Sequence, residues 1–306
     1  GSGNLPIFTA TNTGTDPVIA TITVTPTFTN GAVACNGSTE SFTITVNPTA
    51  NVVDPANQVV CNGALTAAVN FTTTNGGGVV MDYNWTNSEP GIGLAASGNG
   101  DIAAFAAENT GTSPVVATIT VTPELLFDGK TCYGPAQTFT ITVNPTAQVN
   151  DPADQVVCNG AATTAVTFGT SNTGGTMLYT WTNSDPTIGL GAGSTGNIPS
   201  FTAVNAGTSP KVATITVTPQ FTNSVSCSGP AQTFTITVNP TAQVDAIADE
   251  VVCNGNPTTA VAFTTANTGG TTVFNWTNNA PGIGLAASGT GDIASFTASN
   301  ITTAPV

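Results

Sequence analysis

Apolar and polar residues alternate along several short segments of the chain, and a period of two predicts β-strands with one buried face. In 213–218 Ala, Ile and Val alternate with Thr, and 234–238 has the same pattern. The equivalent pairs are 20–25 with 42–46 and 117–122 with 139–143. A loop with Gly, Pro or Asn separates the two strands of each pair, so each pair predicts a hairpin.

Further short strands are expected between these hairpins, and turn clusters such as 172–175 separate them. The segments are 155–158, 164–168, 178–181 and 198–204. No segment has a convincing helical period. About seven strands in a domain of this size predict an all-β fold, a tandem array of seven-stranded immunoglobulin-like (PKD-like) β-sandwiches. Trp181 lies on the third strand, and we expect it to anchor the core with its equivalents Trp85 and Trp276.

The chain repeats with a period close to 96 residues. Cys-Asn-Gly begins at Cys61, Cys158 and Cys253, which are 97 and 95 positions apart. Val-Asn-Pro ends at Pro48, Pro145 and Pro240 with the same two spacings. A period of this length is a whole small domain, not a solenoid unit that depends on its neighbours. We therefore expect complete repeats at 49–145 and 146–240, the C-terminal part of a repeat at 1–48, and the N-terminal part of one at 241–306.

The two ends of the chain carry equivalent segments, because residues 1–18 correspond to 289–306. Both ends fall inside a predicted strand region, whereas domain boundaries usually lie in linkers. We therefore expect the chain to be a segment of a longer protein.

Several phrases of the repeat resemble a known family. They include Val-Val-Cys-Asn-Gly, Tyr-Thr-Trp-Thr-Asn and Phe-Thr-Ile-Thr-Val-Asn-Pro. Together with the domain length, they resemble the PKD-like, immunoglobulin-like tandem repeats of giant cell-surface proteins in Bacteroidota, of the SprB type of gliding-motility adhesin. The resemblance implies export by the type IX secretion route and display as a long filament on the bacterial outer surface.

Composition excludes several functions. Among 306 residues the formal charge is −14, there is no His, and Lys130 and Lys211 are the only cationic side chains. A nucleic-acid footprint needs clustered basic residues, so nucleic acid is excluded as a partner. Catalysis by a His-dependent nucleophile or a His-bound metal is excluded too. No apolar run is long enough to insert in a membrane. We expect no enzyme activity.

Each repeat has one early and one late cysteine, and regular pairs in an exported protein predict disulfides. Two pairings are open, either between neighbours 26 positions apart or within one repeat. We expect the hairpin loop to lie at the end of the repeat where the first strand enters. The last strand then carries the chain ~25 Å away, at ~3.3 Å per residue, before the next repeat begins, while a disulfide needs Cα atoms within about 7 Å. This argument favours Cys61–Cys132 and Cys158–Cys227, with Cys35 and Cys253 paired outside the chain.

Carboxylates near the linkers are the other candidates for chemistry. They are Asp54, Asp151, Asp154, Asp245, Asp249 and Glu250. Oxygen ligands at a domain junction suit calcium, but the pattern drifts between repeats, and solvated acidic loops are the plainer interpretation. No other cofactor is expected.

Three functions remain. In the first, the repeats form the structural shaft of an extracellular adhesin or filament, whose partners are neighbouring repeats of the same polypeptide. In the second, they bind a surface polysaccharide or other cells through many weak sites, although the loops 124–131 and 220–226 differ in sequence. In the third, the chain is a filament protomer whose incomplete repeat is completed head to tail by a strand from the next molecule.

Overall fold

β-Strands make up nearly all regular structure in the computed structural model, which describes residues 1–306. Three single-turn 3₁₀ helices occur, at Pro90–Ile92, Pro186–Ile188 and Pro281–Ile283. The strands are β1 Val18–Val24, β2 Thr27–Asn30, β3 Val33–Asn36, β4 Glu40–Val46, β5 Gln58–Cys61, β6 Val80–Asn87, β7 Ser97–Asn99, β8 Val115–Phe127, β9 Lys130–Tyr133, β10 Gln137–Asn144, β11 Gln155–Cys158, β12 Thr176–Asn183, β13 Gly193–Thr195, β14 Lys211–Asn223, β15 Val225–Ser228, β16 Gln232–Asn239, β17 Asn275–Thr277 and β18 Ser288–Thr290.

Each complete repeat contains one six-stranded sheet. The strand order is β5-β10-β8-β6-β7 with β9 against β8, and equivalently β11-β16-β14-β12-β13 with β15 against β14. The first strand of each sheet runs parallel to the last strand of its repeat. The predicted hairpins form as β8–β10 and β14–β16, and alternation of Val, Ile or Ala with Thr gives these strands one buried face.

The opposing layer of each repeat has little regular pairing. The predicted strands 164–168 and 198–204 meet only at the isolated bridge Val166–Ile198, and a second bridge joins Thr202 to Ala162, just before the first of them. Their apolar side chains still close the sandwich. In the first complete repeat, Val69 and Ile102 lie in the same buried cluster as Ile119 of β8 and Ile141 of β10. The predicted fold class, an all-β array of immunoglobulin-like sandwiches, is confirmed.

The tryptophans lie where the third strand crosses the core. Trp85 and Trp181 are 7% and 4% exposed. The Trp85 indole lies against Gly98 on β7, where a Cβ atom would be 2.2 Å from the ring, and its Nε1 donates to the Gly100 carbonyl at 3.1 Å. At the position of Gly98 the second complete repeat has Ser194, and Trp181 Nε1 has no hydrogen-bond partner.

The two end segments contain only part of a sheet. Residues 1–48 form two separate strand pairs, β1 with β4 and β2 with β3. In 241–306 only β17 and β18 pair, and Trp276 is half-buried. Residues 250–253 correspond to β5 and β11 but form no strand. Their partner in a complete repeat is the last strand, for which this segment has no equivalent.

Contacts between Cα atoms divide the chain into two compact units. The first comprises 1–148, 171–177 and 220–229, and the second comprises 149–170, 178–219 and 230–306. The disulfide and the asparagine contacts between successive repeats each lie within one of these units.

Candidate functional site: the contacts between successive repeats

One disulfide links the two complete repeats. Cys61 ends β5, and Cys227 lies in β15, the short strand that pairs with the far end of β14. Their Cα atoms are 5.5 Å apart, and 166 positions separate them along the chain. The other four cysteines form no disulfide. Cys35, Cys158 and Cys253 are exposed, and Cys132 is half-buried.

The predicted pairs Cys61–Cys132 and Cys158–Cys227 do not form, so that prediction is wrong. The hairpin of the first complete repeat does lie near the incoming linker, as the argument for that pairing assumed. A Cβ atom on Gly134 would be 1.8 Å from the Ala50 carbonyl oxygen. The error concerns Cys61. Because β5 is parallel to β10, its last residue, Cys61, aligns with Asn144, where the chain leaves the repeat.

Asparagine side chains make the same contact at three successive junctions. Each of these junction asparagines donates from Nδ2 to the threonine carbonyl just after the Val-Asn-Pro motif, at 3.1 Å. Each also donates to a threonine carbonyl in the preceding repeat, at 3.3 to 3.4 Å. The junction asparagines are Asn75, Asn172 and Asn267, their linker acceptors are Thr49, Thr146 and Thr241, and their acceptors in the preceding repeat are Thr15, Thr112 and Thr208.

The same asparagines also fix the linker from its other side. Asn172 Oδ1 accepts from the Gln148 backbone amide at 2.7 Å, and the next backbone amide, that of Thr173, donates to the Thr112 carbonyl. The glycine that follows, Gly174, has a φ of +78° and leaves no room for a Cβ, which would lie 2.9 Å from Pro114 Cδ. One short Asn-Thr-Gly turn therefore binds both the linker and the preceding repeat.

A second asparagine supports the disulfide. Asn144 is fully buried, and its Nδ2 donates to the carbonyls of Asn223 and Val225, two residues that flank the hairpin turn carrying Cys227. In return Asn223 Nδ2 donates to Asn144 Oδ1 at 3.1 Å. At the preceding junction Phe127 takes the place of Asn223, and the buried Oδ1 of Asn47 has no partner. The two junctions therefore differ in how many polar contacts they make.

The carboxylates proposed for calcium are dispersed, and several are used as hydrogen-bond acceptors. Asp154 Oδ1 accepts from the Thr235 backbone amide at 2.6 Å, and this bond holds the pKa of the carboxyl below its usual value. The Thr259 hydroxyl and amide lower the pKa of Glu250 in the same way. Asp245 accepts from the Thr264 hydroxyl at 2.7 Å. No group of three or more His, Cys, Asp or Glu side chains is placed to hold a metal ion.

Calcium is therefore expected to leave the stability of this chain unchanged. Carboxylates that are spread along the linkers cannot supply the six to eight oxygens that calcium takes. The measurement is the unfolding temperature in a chelator and in calcium up to about 10 mM, ten times the weakest Kd typical of extracellular modules. An unfolding temperature that is higher in calcium than in chelator, and that no longer rises after the substitution Asp151→Asn, would contradict this expectation.

No helix of the structure has the length and hydrophobicity needed to span a bilayer.

Comparison with known proteins concerns the fold alone. No protein-family model matches the chain, and no curated protein matches it. Among solved structures, human CDH23 EC21-23 is 15% identical, with 83% of this chain and 91% of that chain covered at a TM-score of 0.40. The chicken CNTN1 FN1-FN3 domains are 11% identical, with 70% and 74% covered at a TM-score of 0.29. The I9-I11 tandem from titin is 9% identical, with 80% and 89% covered at 0.25.

The sequence analysis missed the junction asparagines. It treated 172–175 only as a turn between strands, since Asn and Gly favour turns in any protein. A usable indication was present. Asn75, Asn172 and Asn267 recur at spacings of 97 and 95, the spacings of the cysteines and the Val-Asn-Pro motifs. A turn merely favours Asn, whereas a contact in which one side chain binds three backbone groups requires Asn at every junction.

Proposed function

We propose that these repeats form the structural shaft of a long extracellular adhesin or filament, and that they have no enzymatic role. The observation that carries the proposal is the recurrence of the same junction. A turn that begins with Asn binds the linker and the preceding repeat at all three junctions, and a disulfide reinforces one of them. Repeats that merely carry binding sites have no need of identical polar contacts at each linker.

The cellular setting belongs to the same proposal. A disulfide and regularly spaced cysteines suit an oxidising, extracellular environment. The resemblance to giant Bacteroidota surface proteins supports export by type IX secretion, display on the outer surface, and a role in adhesion or gliding. The partners in this view are the neighbouring repeats of the same polypeptide. Surface polysaccharide or another cell would be bound elsewhere on the protein.

The aromatic rings give little support to glycan binding by the repeats themselves. Sugar stacking needs an exposed ring face, and Trp85 and Trp181 are both buried in their cores. The hairpin loops differ between the two complete repeats, with Leu126, Phe127 and Asp128 replaced by Thr222, Asn223 and Ser224. A glycan array probed with the 306-residue chain tests this alternative, and specific binding would favour it over a purely structural role.

Pulling on the two ends of a single chain tests the mechanical role. The Cys61–Cys227 bond closes 166 positions into a loop that force cannot extend. At about 3.6 Å per residue, we expect the oxidised chain to release about 600 Å less length than the chain treated with a reductant. The matched control is Cys61→Ser, which should behave like the reduced chain in both conditions. Equal lengths with and without reductant would show that the bond does not restrain the chain under load.

The native protein tests the rest of the proposal. An antibody against residues 49–145 should label intact cells, and it should detect a denatured, non-reduced polypeptide many times heavier than the 30.3 kDa of this chain. A polypeptide near 30.3 kDa, or labelling only after cells are broken, would contradict a shaft displayed on the surface.

A further inference from the structure

The outer face of the sheet in the first complete repeat carries a group of side chains that the second complete repeat lacks, at the end where β6, β8 and β9 run side by side. We propose that this group docks a partner protein through an arginine or lysine side chain that apolar residues flank. We call it the β9 patch, and it consists of Val80, Asp82, Glu124, Leu126 and Tyr133. The inference goes beyond the shaft function and does not rest on it.

Strand register places the five side chains next to one another. Residues directly opposite each other in antiparallel strands point to the same side of the sheet. Glu124 of β8 lies opposite both Asp82 of β6 and Tyr133 of β9. Two residues further along β8, Leu126 lies opposite Val80. With strands about 4.8 Å apart and rows on one face about 6.7 Å apart, the patch is about 10 Å wide. It can hold one long side chain and the residues next to it.

Three apolar side chains of the patch are exposed. Val80 is 62% exposed, Leu126 44% and Tyr133 65%. The fold of the repeat does not need them, because other repeats have small polar residues at these positions. The equivalents are Thr176, Thr222 and Ser228 in the second complete repeat, and in residues 1–48 Thr29 and Asn36 replace Leu126 and Tyr133. Exposed apolar side chains that cluster within a rim of polar ones favour an interaction site.

The exposure of this face is a property of the repeat. At the junction between the two complete repeats, Cys227 is bonded to Cys61 of the preceding repeat and is 3% exposed. Even there, the equivalents of the patch on the same hairpin end remain open, since Thr176 and Ser228 are exposed. A preceding repeat therefore covers the side of the hairpin that carries the cysteine and leaves the outer face free.

Two carboxylates meet in the patch. Asp82 and Glu124 form a directly opposite pair, and like charges in such a pair destabilise a sheet. The chain has only 2 basic and 16 acidic side chains among 306 residues, so two carboxylates rarely meet by chance. The equivalent pair in the second complete repeat is Leu178 and Gln220, which carry no charge. A cation that binds between Asp82 and Glu124 would relieve their repulsion.

Two asparagines hold the carboxylates in place. Asn84 Nδ2 donates to Glu124 Oε1 at 2.7 Å, and Asn99 Nδ2 donates to Asp82 Oδ2 at 2.8 Å. Asn99 Nδ2 also donates to Asn84 Oδ1 at 3.0 Å, which joins the two contacts. The carboxylates are therefore ordered before any partner arrives, and this lowers the entropic cost of binding.

The chemistry of the patch points to a protein side chain as the cation. A guanidinium or ammonium group forms charge-assisted hydrogen bonds with carboxylates and is attracted to the face of the Tyr133 ring. The aliphatic stem of the same side chain, together with apolar residues beside it, packs on Val80 and Leu126. A neutral sugar can stack on Tyr133 but would leave the two negative charges uncompensated.

The partner is a different protein, because this chain has only two cationic side chains, Lys130 and Lys211. Lys130 lies opposite Phe127, so alternation along β9 directs it to the other face from Tyr133. Lys211 Nζ donates to the Thr187 hydroxyl at 2.8 Å. With a formal charge of −14, two copies of the chain repel each other, whereas a basic partner is attracted.

The experiment is an NMR titration of the isotope-labelled 306-residue chain with the peptide acetyl-Ala-Leu-Arg-Leu-Ala-amide. The comparison peptide has Gln in place of Arg. We expect the arginine peptide to shift the backbone amide signals of β6, β8 and β9 around the patch, and to leave those of β12, β14 and β15 unchanged. The glutamine peptide should bind about tenfold more weakly, because it lacks the hydrogen bonds between opposite charges.

Three variants assign the binding to the patch. Glu124→Gln should weaken binding of the arginine peptide about tenfold. Tyr133→Ser, which introduces the residue of the second complete repeat, should weaken it several-fold. Glu89→Gln is the matched control, since Glu89 is an exposed carboxylate of the same repeat outside the patch, and this variant should bind like the parent. Unchanged amide signals in the core of each variant show that it is folded.

A graft tests whether these side chains are sufficient. The substitutions Leu178→Asp, Gln220→Glu, Thr222→Leu and Ser228→Tyr together rebuild the patch on the second complete repeat. The arginine peptide should then also shift the amide signals of β12, β14 and β15. A graft that gains no binding would contradict the assignment of the site to these side chains.

Other results would overturn the proposal outright. They are equal binding of the two peptides, shifts spread over both complete repeats of the parent chain, or full binding by Glu124→Gln. Cellotetraose, a neutral oligosaccharide, is titrated separately. If it shifts the signals of the patch and the arginine peptide does not, the patch binds sugar and the proposal is wrong. None of these results affects the mass of the native protein or the pulling experiment, so the shaft function is judged separately.

Discussion

Replacing Cys61 by Ser is expected to lower the free energy of unfolding by about 3–5 kcal/mol. The Cys61–Cys227 bond closes a loop of 166 positions, and a loop of that length restricts the unfolded chain strongly. Serine is close to cysteine in size, so the change removes the bond with little disturbance of β5. The measurement is denaturant unfolding under non-reducing conditions, followed by the fluorescence of the three tryptophans.

The matched control is Cys158→Ser. Cys158 ends the equivalent strand of the next repeat, is exposed, and forms no disulfide. This variant should unfold like the parent protein. Treating the parent with a reductant should reproduce the loss seen in Cys61→Ser. If both serine variants lose stability equally, the effect comes from the strand ends and not from the bond.

The sequence was sufficient for the architecture because the architecture follows from local patterns. Alternation of Ile and Val with Thr in 213–218 specifies a strand with one buried face, and the 96-residue period specifies a domain that recurs. The structure has both features, because β14 has one buried face and its equivalent β8 has the same burial pattern one repeat earlier. The strands of the opposing layer were harder to predict. Segments such as 164–168 bury apolar residues by bridging at single points, without a continuous ladder.

The disulfide could not be predicted from the same patterns, because it depends on strand direction. If the first strand were antiparallel to the last, its final residue would lie near the hairpin of its own repeat, and Cys61–Cys132 would be the natural pair. The parallel pairing of β5 with β10 reverses this and places Cys61 beside Asn144. The sequence alone does not distinguish parallel from antiparallel pairing of the first and last strands, since the residue pattern of 58–61 is compatible with either direction.

The second large effect is expected from Gly229→Ala. Gly229 lies two positions after Cys227, and a Cβ there would be 1.8 Å from the Ala147 carbonyl oxygen and 2.6 Å from its carbon. Ala147 is fully buried in the linker, so neither backbone can move aside freely. We expect a loss of about 3 kcal/mol, the upper range for an overpacked site. Gly37→Ala is the matched control, since the equivalent Cβ meets only Pro26, whose Cγ is nearest at 3.0 Å.

The same substitution should also weaken the disulfide. The contact of Gly229 with the linker fixes the hairpin that carries Cys227, so an added methyl group moves this hairpin away from Cys61. Dithiothreitol should therefore reduce the bond faster in Gly229→Ala than in the parent protein or in Gly37→Ala. Peptide mapping at timed intervals measures this rate. An unchanged rate with lowered stability would mean that Asn144 alone positions the hairpin, through its bonds to Asn223 and Val225.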